Sequence, residues 1–226
     1  MRTLRCLAVI LAVSLPAAAS AASQEAPLAP SAPLFGTREE FSSDNSPFFK
    51  WHGMLRRFAT EQRRAAGVCT SGIVEPCVPA EWRALAEEIR GLDLRAKLAR
   101  INAAFNRHPY IPSAANWGES SHWETPYEFL RKGGQCQDYA IAKYLLLREA
   151  GVPAASLRLV VVRDLRLALD HAVTVAYVDG EALLLDNQIA SVVPVASVHH
   201  YQPYYSINEQ GWWLHRGANA RYAAVN

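Results

Sequence analysis

The chain has 226 residues, half of them hydrophobic, and carries 23 Lys and Arg against 21 Asp and Glu. That balance excludes a disordered polyelectrolyte and leaves no basic footprint for nucleic acid. The length suits one compact domain with a sizeable core, to which six tryptophans add large buried area.

Residues 1–21 have the order of an export signal. Arg2 and Arg5 come first, then the apolar run from Cys6 to Leu15, then small residues in which Ala19 and Ala21 fit an A-x-A cleavage pattern. Cleavage there starts the exported chain near Ala22 and lowers the basic count to 21, equal to the acidic count. No apolar stretch reaches the roughly 18 residues that a membrane span needs, so a soluble periplasmic protein is expected.

Residues 22–46, rich in Pro, Ala and Ser, read as an extended segment lying on or beside a domain that spans 47–226. Helical periodicity predicts an amphipathic helix over 48–64 with Trp51, Leu55 and Phe58 on one face. A second opens at Pro79 with Trp82, Leu85 and Ile89, and a third runs from Leu92 to Asn106 with Leu94, Leu98, Ile101 and Phe105. Between the first two, Cys69 and Cys77 bracket a short loop; in an exported chain such a close pair reads as a local disulfide. The rival reading, two metal ligands, lacks nearby His or Cys partners.

Thr125-Pro126-Tyr127-Glu128 is a capping box with proline at the first helical position, predicting a short helix to Lys132 that Gly133-Gly134 stops. The run from Cys136 to Ala150, apolar nearly all round, is expected as a central buried helix ended by Gly151 and Pro153. Cys136 therefore opens a helix, where unpaired amides favour a thiolate. It is also the odd thiol once Cys6 leaves with the signal and Cys69 pairs with Cys77. Both features make it a candidate nucleophile.

After Pro153 the period becomes alternating. Strands are predicted over 157–162, 169–178 and 181–185, the last two joined by the hairpin turn Asp179-Gly180, and the aromatic-rich stretch 201–222 supplies further strand candidates. Helices first and antiparallel strands after indicate an α+β fold. A thiol nucleophile needs a base and a group that orients it. His52, His108 and His215 show no acidic partner, and His199-His200 lack flanking carboxylates. A two-residue turn pairs Val178 with Glu181, which sets Asp186 opposite Val173, on the face His171 shares. His171 and Asp186 then become diagonal neighbours, with Gln188 directly across from His171 as a second candidate orienter.

Cys136 opening a helix, with His171 and Asp186 on a following hairpin, resembles the Cys-His-Asp arrangement of transglutaminase-like proteins in the papain-like superfamily. More narrowly, Trp123-Glu124-Thr125-Pro126, Glu128-Phe129-Leu130, the block from Cys136 to Tyr144 and Leu185-Asp186-Asn187 are similar to the bacterial transglutaminase-like cysteine proteinase family, over most of the chain after Phe35. The resemblance implies a papain-like/transglutaminase-like α+β fold and a periplasmic cysteine endopeptidase. Related Lap-type proteases clip a giant surface adhesin, disperse biofilm, depend on calcium and are sequestered by an inner-membrane receptor. A protein substrate and such a regulatory receptor are therefore the implied partners. In those relatives acidic residues flanking the cysteine help hold calcium. Here Gln135 and Gln137 stand in those places beside Asp138, and neutral amides offer calcium oxygen without charge. Gln135, Gln137 and Asp138 are thus weak calcium candidates, and no firmly held cofactor is expected.

The reaction expected is amide cleavage with Cys136 as nucleophile, His171 as base and then acid, Asp186 as orienter and the Cys136 amide as oxyanion donor. Trp117, Trp123 and Gln188 are candidate cleft residues. Two other outcomes share the motif: amine transfer, as in a transglutaminase, and a noncatalytic module that binds periplasmic peptide.

Overall fold

The computed structural model describes residues 33–68 and 78–217, so residues 1–21, read as an export signal, and the expected Cys69/Cys77 pair lie outside the described residues. The helices are α1 (Phe49–Val68), α2 (Ala80–Ile89), α3 (Leu94–Phe105), α4 (Ser113–Trp117), α5 (Pro126–Lys132) and α6 (Cys136–Glu149). The strands are β1 (Arg38–Ser42), β2 (Leu157–Asp164), β3 (Leu169–Val178), β4 (Glu181–Leu185), β5 (Val193–Pro194), β6 (Tyr201–Ile207) and β7 (Trp212–Arg216). The strands form one sheet in the order β1-β7-β6-β2-β3-β4-β5, with every pair antiparallel. This is the α+β class expected from helices that precede strands.

Two of the helices open on side chains that accept from their first amides. Asp93 Oδ1 accepts from Ala96 N at 2.9 Å to open α3. Thr125 and Glu128 exchange bonds of 3.1 and 2.8 Å to open α5. Along α6 every residue from Asp138 to Leu147 is buried, which is what a helix apolar on all sides requires. It packs on the sheet face formed by Leu157, Leu159, Ala172, Ala176, Leu183, Leu185 and Ile207, with α1, α2, α3 and α5 closing the far side. The opposite sheet face forms a second core of Val160, Val162, Val173, Val175, Leu184 and Tyr201 beneath Leu34 and Phe35. The central strands are thus covered on both faces, and the middle of β2, residues 159–162, reads as a continuous apolar run where a one-sided strand would alternate.

Two details place the site. The β3–β4 turn is Asp179 at φ 53° and Gly180 at φ 81°, and it pairs Val178 with Glu181 and Thr174 with Leu185, the register expected from the sequence. At the other end, β1 pairs with β7 as the edge of the same sheet. The sheet therefore starts upstream of Pro47, where the sequence reading opened the domain. The strand escaped recognition because Arg38-Glu39-Glu40 is charged, as edges that must resist further pairing are.

Candidate active site

The site is built on the turn between α5 and α6. Gly133 has φ 72° and ψ −178°, a conformation open in practice to glycine alone, and a Cβ there would lie 2.4 Å from Pro109 O. Gly134 packs so closely on Asp138 that a Cβ would fall 2.8 Å from both its Cβ and its Oδ2. That proximity lets Asp138, in the first turn of α6, reach back and accept from Gln135 N at 2.8 Å. Its other oxygen accepts from Glu124 N at 2.9 Å, tying the loop before α5 to the start of α6. Burial, helped by the Glu124 carboxylate, pushes the Asp138 carboxyl up to about 8 although the two amides oppose it. The Asp138 carboxyl is thus engaged in holding the backbone around Cys136.

Cys136, half-buried at the first position of α6, is the free cysteine among the described residues. Its thiol lies 3.6 Å from Gln137 Oε1 and is near enough to the His171 ring for the two to interact electrostatically. His171 Nε2 is 2.9 Å from Asp186 Oδ1, and both side chains are essentially inaccessible to solvent. With Nε2 committed to Asp186, Nδ1 is the other ring nitrogen, with the Gln188 side-chain amide 3.4 Å away. Burial works against the imidazolium, but hydrogen bonds and charge from Asp186 and Cys136 outweigh it and push the His171 pKa up to about 9. Burial also works against the Asp186 carboxylate. His171, the Gln188 amide at 2.8 Å and the Tyr201 hydroxyl at 2.6 Å nevertheless hold its pKa below the usual carboxylate value. Strand β3 is fixed to the nucleophile helix by Thr174, whose hydroxyl donates to Ala140 O at 2.7 Å.

The buried contacts that hold the loop carrying Asp186 were not visible in the sequence. Lys143, buried in α6, donates to Asn102 Oδ1 at 2.8 Å and Asn106 Oδ1 at 2.6 Å. Asn106 Nδ2 in turn donates to Asp186 O at 2.8 Å, and Asn102 Nδ2 to Ala190 O at 3.0 Å. One lysine on the cysteine helix thus anchors the loop that carries Asp186. Its pKa is lowered by burial to about 7, with Asp186 opposing. The sequence did hold a signal, since a lysine on a helix apolar all round must find buried acceptors. Tyr201 offered none, being 15 residues from Asp186 along the chain.

The other expected residues fall as follows. Gln188 does contact His171, but at Nδ1, where its Nε2 lies 3.4 Å away; the orienter at Nε2 is Asp186. Trp117 ends α4 and donates to Glu124 Oε1 at 2.6 Å, stacks on His122 at 4.4 Å and lies under Lys132 Nζ at 3.7 Å. Trp123 packs against the main core. Two histidines read as lacking acidic partners have them through folding: His108 Nε2 is 2.9 Å from Glu81, and His215 is 3.8 Å from Glu39. Among the described residues no group of three or more His, Cys, Asp or Glu side chains is placed to hold a metal ion.

Residues 77–219 match the family described as bacterial transglutaminase-like cysteine proteinases. Among solved structures the chain is similar to LapG of Legionella pneumophila, at 30% identity and a TM-score of 0.54 over 59% of this chain and 75% of that one. It is also similar to the calcium-bound form of Legionella pneumophila LapG, at 27% identity and a TM-score of 0.57 over 70% of this chain and 87% of that one. No curated protein matches it.

Proposed function

This chain belongs to the bacterial transglutaminase-like cysteine proteinases and is a cysteine protease of that type, and from this premise we propose that Cys136, His171 and Asp186 are its catalytic triad. The observation that carries the assignment is the buried His171–Asp186 pair, its carboxylate held by the Gln188 amide and the Tyr201 hydroxyl, set within electrostatic reach of the free Cys136 thiol at the start of α6. In this reading Cys136 Sγ attacks the scissile carbonyl, forming the S–C bond as the thiol proton rests on His171 Nδ1. The Cys136 amide, at the open end of α6, donates to the oxyanion. His171 then gives its proton to the leaving amine as the C–N bond breaks, leaving an acyl-enzyme. Water attacks the thioester, His171 takes its proton, and the thiolate departs. Asp186 keeps the ring oriented and stabilises the imidazolium throughout.

We place the enzyme in the periplasm on the strength of residues 1–21. The proposed substrate is a surface adhesin, supported by the similarity to LapG. Both proposals, with the triad, are tested by comparing exported-protein fragments from wild-type cells and cells carrying Cys136→Ala. N-termini that appear on an adhesin only in wild type are expected. An identical fragment pattern in the two strains overturns the assignment of Cys136, and isopeptide crosslinks lost in the variant point to amine transfer instead.

A further inference from the structure

Three oxygens converge on one side-chain nitrogen beside the nucleophile. Gln137 Nε2, with two N–H groups to share among them, lies 3.3 Å from His122 O, 3.3 Å from Asp138 Oδ2 and 3.5 Å from Gln135 Oε1. The same amide turns its oxygen toward the Cys136 thiol, 3.6 Å away. A backbone carbonyl, a carboxyl and an amide oxygen gathered around one positive centre form the kind of shell a hard cation collects. Here an N–H₂ group occupies the centre. The donor set does not fit calcium itself. Its single carboxyl group, Asp138, already spends both oxygens on the Glu124 and Gln135 amides, and the other two oxygens are neutral. Calcium takes six to eight oxygens at about 2.3–2.6 Å and is held by charge, whereas the contacts to Gln137 are those of hydrogen bonds.

We propose that Gln137 is a positioning residue whose amide nitrogen takes the place a bound cation could hold: it knots the His122 loop to the start of α6 and sets Cys136, so that the site assembles without calcium. The inference rests on reading Cys136 as the nucleophile. It assigns Gln137 no contact with substrate. The loop it draws in carries His122, which stacks on Trp117, so the knot also fixes that tryptophan relative to the thiol.

The test uses the full chain, calcium chloride as ligand and the alkylation rate of Cys136 as readout, which needs no substrate. Wild type is expected to bind no calcium tighter than about 1 mM in calorimetry and to alkylate at the same rate with or without EGTA. Gln137→Leu is expected to slow alkylation by about tenfold, the worth of one well-placed hydrogen bond, with the fold intact by circular dichroism. The double variant Gln135→Asp/Gln137→Glu restores charge around the same centre. It is expected to bind calcium and to alkylate slowly in EGTA and at the wild-type rate once calcium is added, a rescue that a merely structural glutamine would not permit. Micromolar calcium binding by wild type, an EGTA-sensitive rate, an unchanged rate in Gln137→Leu, or a folded double variant that ignores calcium would each overturn the proposal. Failure of the triad reading shows separately, as an alkylation rate indifferent to His171→Ala.

Discussion

At the scale of single residues, the imidazole carries the most information, because its two nitrogens have different partners and its charge decides the reaction. Burial opposes the imidazolium while Asp186 and Cys136 support it, and the balance lifts its pKa from about 6.5 to about 9. The sign follows directly: His171 is charged below pH 9 and loses its proton as pH rises through that value, so the proton needed by the leaving amine disappears on the alkaline side. We expect kcat/KM to fall above about pH 9, by close to tenfold per pH unit. Asp186→Asn removes the carboxylate that supports the imidazolium and should bring the alkaline limb down toward the ordinary histidine value of about 6.5. A pH profile of peptide cleavage for the two proteins checks this, and an unmoved limb would show that the limb belongs to another group.

At the scale of elements, the site depends on three pieces meeting: the start of α6, the first half of β3 and the end of β4. The last two were legible in the sequence, since Asp179-Gly180 sets the register and the register sets His171 beside Asp186. The start of α6 was legible from Gly133-Gly134 and from the apolar run after Cys136. What holds the pieces together was not, because those contacts link positions with no local relation: Thr174 to Ala140, Tyr201 to Asp186 and Asn106 to Asp186. Local patterning specifies elements, whereas side-chain bonds between elements depend on a packing that periodicity does not encode. Lys143 tests the energetic weight of this layer. Lys143→Met fills similar volume but leaves Asn102 Oδ1 and Asn106 Oδ1 without their donor in a dry interior. At about 1–3 kcal/mol for each of the two orphaned acceptors, we expect a loss of about 2–6 kcal/mol in urea unfolding. A variant as stable as wild type would mean that the interior relaxes around the asparagines.

At the scale of the whole molecule, the segment from Leu34 to Ser42 is stitched to the sheet by a buried polar cluster remote from the triad. Thr37 Oγ1 donates to Leu34 O at 2.8 Å, so it must accept from His215 Nδ1, also at 2.8 Å. That leaves His215 Nε2 to accept from the Ser206 hydroxyl at 3.0 Å, and the ring is neutral. Arg158 bonds Glu39 at 2.7 Å and lies 3.7 Å over the Trp213 ring. Burial pushes the His215 pKa down to about 4, with Arg158 adding to the effect and Glu39 opposing it. The unfolded chain takes up this proton near pH 6.5 and the folded one near 4, so the stability that His215 confers is present above 6.5 and drains away as pH falls toward 4. Asp138 works the other way in that range, because its raised pKa lets the folded state bind a proton before the unfolded chain does. The raw stability curve therefore mixes two slopes, and a variant separates them. Between pH 7 and pH 5 wild type should lose about 2 kcal/mol more than His215→Asn, whose side chain does not titrate. Guanidinium unfolding of both proteins at the two pH values measures the difference, and parallel losses would assign the acid sensitivity elsewhere. If the difference appears, acid first weakens the bonds that hold Leu34 and Phe35 over the second core. The sheet edge around β1 should then open before the triad does, seen as amide exchange rising in 34–42 while 136–144 stays protected.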